Sequence, residues 1–147
     1  MYRKLLVPVD GSEFSERAMQ AGIDLARQLG AAIVGFVAEP DMPLPNVGTQ
    51  PTAYARQRDA HEQRTDTHAH EVLARFGTLA GEAGIEFRGR HAITDRVEEA
   101  IVALAHELDC DMIVMVTHGR GAFGELLFGS HTKHVLAKSK IPLLVLH

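Results

Sequence analysis

"LAHELDCDMIVM" (residues 104–115) reads in three beats: the last turns of a helix, a short break, then a strand. The same cadence occurs in "LARQLGAAIVGF" (25–36), "LAGEAGIEFRGR" (79–90) and "LAKSKIPLLVLH" (136–147). With "KLLVPVD" (4–10) in front, the chain offers five strands separated by four helical stretches. "KLLVPV", "AIVGFV", "MIVMV" and "PLLVL" are nearly continuous apolar runs, the pattern of strands covered on both faces. "IEFRGRHAI" (85–93) alternates more and reads as an edge strand. The helical stretches are long enough for parallel crossovers. The fold class expected is α/β, a doubly wound, Rossmann-like five-stranded parallel sheet with helices on both faces.

Size and composition bound the rest. A chain of 147 residues with 46% apolar and 23% charged residues reads as one globular domain, 1–147, able to bury a real core. A formal charge of −4 without a basic stripe speaks against nucleic acid as a partner. The apolar runs are far too short for a membrane span, and "MYRKLLVPVDGS" reads as a strand rather than a signal peptide. The single Cys110 has no internal disulfide partner, which fits a reducing, cytoplasmic location.

Local signals place the helix ends. Ser12 is an N-cap candidate for the run from Glu13, and Thr94 for "DRVEEAIVALAHEL", with Asp95, Glu98 and Glu99 near the positive end of the dipole. Gly30 sits at a C-cap position. "PDMPLPNVGTQP" (40–51) holds four prolines and reads as a loop, followed by a long polar helix from about Thr52 to Ala80. Ligands of such sheets bind beyond the carboxyl ends of the strands, at the switch in strand order. The Asp10–Ser12 turn, the proline loop and the glycine-rich segment after the fourth strand all fall on that side.

That last segment lies in "MIVMVTHGRGAFGELLFGSHTKHV" (112–135). Gly119, Gly121 and Gly124 spell G-x-G-x-x-G after a strand, but no acidic residue follows at the end of the next strand to hold a ribose, so a dinucleotide site is not supported. "GELLFGS" (124–130) has the glycine spacing of a P-loop with Ser130 where the lysine belongs, which rejects a Walker-type NTPase. Gly119 permits an anion nest of successive N–H groups. Ser130 is placed to cap the last helix, whose N-terminal amides favour phosphate oxygens. Arg120, His131 and Lys133 add positive or donor groups nearby.

The whole chain resembles the universal stress protein family, whose ATP-binding members carry G-x2-G-x9-G-[S/T] after the fourth strand. Gly119, nine residues and then Gly129–Ser130 match the second half of that motif, and "LLVPVDGS" and "PLLVL" look like the family's first and last strands. The resemblance implies a sheet of order 3-2-1-4-5, a homodimer, and ATP, with Mg2+, across the switch point. By similarity, Asp10 faces the nucleoside, the backbone around Val37 meets the adenine edge, and Pro8 and Val9 line the floor. His118, Gly119, Arg120, Gly129, Ser130 and His131 would surround the phosphates. For His118, a hydrogen bond to loop backbone is the alternative, and for Asp10, a turn-forming role in Asp-Gly.

Val116 occupies the motif's first glycine position. Pointing at the ligand, it would crowd the site by about 1–3 kcal/mol, a roughly five- to 150-fold loss of affinity. Pointing into the core, it is harmless. Two readings stay open: an ATP-binding, non-enzymatic stress-response protein without rapid turnover, and a nucleotide-free dimeric scaffold. An enzyme would need a second substrate site, and no general base or basic finger is recognisable.

The remaining residues read more plainly. Among nine histidines, His61, His68 and His70 lie on the polar helix; without a third ligand in register they read as a solvated face rather than a zinc site. His134 reads as helix surface, Met112 and Met115 as core, and Glu98 and Glu99 as helix-start charges only. Cys110 between Asp109 and Asp111 reads as a partly buried, unreactive thiol. The last strand, "PLLVL", reads as an exposed apolar edge that pairing of residues 143–146 with a second copy would close.

Overall fold

The computed structural model describes residues 1–12, 15–116, 133 and 136–146. In chain order the elements are β1 (Lys4–Pro8), α1 (Ser15–Leu29), β2 (Ala32–Glu39), α2 (Pro51–Glu82), β3 (Phe87–Ile93), α3 (Val97–Glu107), β4 (Met112–Val116) and β5 (Leu143–Leu146). The strands form one sheet, ordered β3-β2-β1-β4-β5, and every neighbouring pair is parallel. Both predicted edges are edges, β3 on one side and β5 on the other. No helix among the described residues is long and apolar enough to cross a membrane.

Strand alternation divides the core in two. Leu5, Val7, Val9, Ile33, Val37 and Val114 meet the buried stripes of α1 and α2, with Met19, Ile23, Leu73 and Phe76 among them. Leu6, Val34, Phe36, Ile113 and Met115 face the other way, onto Ile101 and Ala105 of α3 and Leu136 of the helical residues 136–138. Neighbouring side chains of each central strand therefore enter different cores, which is why those strands read as unbroken apolar runs. Met115 is core as expected, whereas Met112 is only partly buried.

Each of the four helix-to-strand breaks contains a left-handed residue. Gly30 (φ 66°) and Gly84 (φ 73°) serve the first two, and Asp109 (φ 52°) and Lys140 (φ 61°) the others. At Gly30 the chain turns so that Ala31 N–H reaches the Ala26 carbonyl at 2.9 Å, a helix-closing bond.

Three local readings need correction. Thr94 does not cap α3: Arg96 is the N-cap residue, and the Thr94 hydroxyl accepts the Arg96 N–H at 3.0 Å in a turn ahead of the helix. Pro51 belongs to α2 rather than to the loop, because a proline's missing N–H costs nothing in a first turn. Glu98 is more than a helix-start charge, being buried at 7% exposure. The Ser12 cap falls on a helix start whose residues 13 and 14 lie outside the described residues.

Candidate functional site

At the carboxyl end of the sheet the chain leaves β1 through Pro8, Val9, Asp10 and Gly11. Pro8 and Val9 are buried, and Val9 N–H still pairs with the Phe36 carbonyl of β2 at 2.8 Å. Gly11 then turns the backbone into φ 76°, which a side chain would strain. The Asp10 Oδ1 accepts the Ser12 N–H at 3.0 Å and lies 3.5 Å from the Ser15 hydroxyl, whose oxygen accepts the Gly11 N–H at 2.7 Å. Asp10 thus does form the Asx turn, and among the described residues its hydrogen bonds use only Oδ1. The turn and a ligand role are compatible, because Oδ2 remains.

A second layer closes over this turn from α2. The His68 ring packs so tightly on Gly11 that a Cβ there would stand 2.6 Å from Nε2 and 2.8 Å from Val72 Cγ2. Nδ1 of His68 hydrogen-bonds the Glu39 carboxylate, which is buried at the end of β2. His61, two turns earlier on the same face of α2, hydrogen-bonds the Pro40 carbonyl through Nε2 at 2.9 Å. The expected solvated histidine face is therefore a pair of anchors that tie α2 to the end of β2. Asp95 accepts the Asp41 N–H at 3.1 Å, holding the proline loop against the β3–α3 connection.

Val37 is wholly buried in the α1/α2 core, so only its backbone is available to a ligand. Val116, the last residue of β4, shares the face of Val114 and packs against the same core. His118, Gly119, Arg120, Gly129, Ser130 and His131 lie outside the described residues. The structure therefore brings together Pro8, Val9, Asp10 and Val37 at one end of adjacent strands, with Val116 at the same end of β4. It adds Gly11, Ser15, Glu39 and His68, none of which the sequence singled out as site residues. An acid closing the apolar run of β2, directly before Pro40, was the one available signal for Glu39.

The sequence profile of the universal stress protein family matches residues 1–147. The chain belongs to the universal stress protein family. A universal stress protein of Thermus aquaticus is 30% identical over 148 residues, covering 99% of this chain and 98% of its own. A universal stress protein family structure from Burkholderia pseudomallei has a TM-score of 0.69 at 23% identity, over 99% of this chain and 96% of that one. One from Archaeoglobus fulgidus, solved in complex with dAMP, has a TM-score of 0.59 at 21% identity, over 99% and 98%. The doubly wound sheet of this chain is thus the fold of other universal stress proteins.

Proposed function

We propose that this universal stress protein is a single-domain, cytoplasmic homodimer that binds an adenine nucleotide, ATP with Mg2+ by preference, without rapid turnover. The observation that carries the reading is the convergence at the switch point between β1 and β4. There the Asp10–Gly11 turn, the backbone of Val37 and Val116 at the end of β4 share one end of the sheet. The Archaeoglobus fulgidus relative, with dAMP bound, supports the adenylate class.

Val116 decides between this reading and a nucleotide-free scaffold. Its packing on the α1/α2 core supports the first, since a side chain held there is not the one that fills the ligand's space. The test is to denature purified protein, assay the supernatant for released nucleotide, and titrate apo protein with Mg-ATP and AMP. Binding at or below millimolar concentration is expected. Absence of nucleotide in both assays would sink the proposal. Val116→Gly should leave affinity within about threefold; a gain of roughly five- to 150-fold would mean the isopropyl group crowds the site after all.

A further inference from the structure

On the outer edge of the sheet, away from that end's central strands, α2 and β3 bring together a set of metal-ligand side chains. Asp66, His70 and His91 are all exposed, and their ligand atoms lie within 4.8 Å of one another. His91 Nε2 is 3.0 Å from Asp66 Oδ1, and His70 Nδ1 is 3.4 Å from Asp66 Oδ2. The two imidazoles meet edge to face with ring centroids 5.1 Å apart.

The juxtaposition follows from matched pitches. β3 presents Phe87, Gly89 and His91 to α2, advancing about 6.6 Å for every two residues. α2 runs back over it in four-residue steps of about 6 Å. A Cβ on Gly77 would touch Phe87, and one on Gly89 would touch Leu73. The next step puts His91 against Asp66 and His70, which share one helix face by their four-residue separation.

We propose that Asp66, His70 and His91 form a surface site for a divalent transition metal of the zinc class. Two imidazoles and one carboxylate are a zinc ligand set, with the fourth position left to water. Bonds of about 2.0–2.1 Å set tetrahedral ligand atoms roughly 3.3 Å apart. The two imidazoles stand 3.0 and 3.4 Å from opposite oxygens, Oδ1 and Oδ2, of the one Asp66 carboxylate, so the set lies near that spacing and must draw inward to share an ion. The side chains are 31–65% exposed, so the third ligand can close in without moving backbone. Binding requires His70 Nδ1 to give up its bond to the Asp66 carbonyl, now 2.8 Å. The adjoining groove is lined by Asp59, Glu62, Gln63, Asp66 and Ile93, so its field favours a cation even though Arg58 pairs with Glu62. Imidazole ligands select against Mg2+. The ion would fasten α2 to the edge strand, independently of any nucleotide.

The test is Zn2+ titration of the chelator-treated protein, followed by calorimetry and by the imidazole NMR signals. Asp66→Asn, His91→Ala and the control His106→Ala are compared, with circular dichroism confirming their folds. Loss of an outer-sphere partner alone costs about 10–100-fold in metal affinity. Each ligand variant should therefore bind at least tenfold more weakly, with His106→Ala unchanged. Zinc should shift the His70 and His91 resonances, and excess Mg2+ should not. Equal Zn2+ affinity in all the variants would place the ion on other histidines and overturn the proposal. So would a wild-type protein that shows no binding at millimolar Zn2+.

Discussion

Gly11→Ala tests the layered packing around the β1 turn most directly, because two separate costs coincide at one atom. The first is conformational. At φ 76° a side chain sits in the left-handed region, costing roughly 1–2 kcal/mol, less a few tenths recovered from the stiffer unfolded chain. The second is steric. The new Cβ would stand 2.6 Å from His68 Nε2 and 2.8 Å from Val72 Cγ2, where carbon contacts prefer about 3.5–4.0 Å. Val72 is β-branched and buried, so it yields little. His68 can swing away, but only by releasing the buried Glu39 carboxylate, and crowding of this kind costs about 1–3 kcal/mol.

Together these give a loss of roughly 2–4 kcal/mol, or about 5–15 °C in Tm for a chain of this size. Chemical denaturation of wild type, Gly11→Ala, His68→Ala and the double variant closes a thermodynamic cycle. The shared crowding predicts that the double variant loses at least about 1 kcal/mol less than the sum of the singles. Strict additivity, or a Gly11→Ala variant within about 0.5 kcal/mol of wild type, would refute the contact and the strain it implies.

The other predictions concern the sheet and its turns. Gly35→Ala puts a Cβ 2.7 Å from Phe87 and 3.1 Å from Phe76 under α2, so denaturation should register a loss of about 1–3 kcal/mol. Lys140→Gly relieves left-handed strain at φ 61° and should raise stability by up to about 1 kcal/mol; a lower Tm would count against it. Burial, aided by Asp111 and Asp109 against the opposing pull of Lys4, raises the Cys110 pKa from 9.0 to about 11. The thiol should resist alkylation at pH 8 until the protein unfolds. Its stabilising contribution is complete below pH 9 and is lost as pH rises through about 11, because the folded state holds the proton longer. Leu144→Lys on the outer edge of β5 should convert the proposed dimer to monomer; an unchanged dimer by light scattering would exclude that edge as the interface.

What was legible in the sequence was whatever repeats along one element. The apolar runs of β1, β2 and β4 announced a sheet covered on both faces, because Leu5 and Leu6 feed opposite cores and so leave no polar position between them. The helix-to-strand cadence marked all four breaks, including those where Asp109 and Lys140 do the work of a glycine. Strand order was not written in these periods, since any parallel arrangement satisfies them; it came from family resemblance. The polar groups that matter were hidden for a different reason. Glu39 and His68 are 29 residues apart, and Asp66 and His91 are 25; each pair exists only because α2 crosses back over the sheet. The buried stripe of α2 is confined to residues from Thr65 onward, and His68, Asp66 and His70 lie at its outer end. Helix and strand pitches that bury Phe76 and Leu73 over β2 and β3 thereby also set the polar residues just beyond them face to face. Site chemistry in this chain is thus a by-product of core registry: shifting α2 by one turn would unpair both clusters together, which no reading of either helix or strand alone can show.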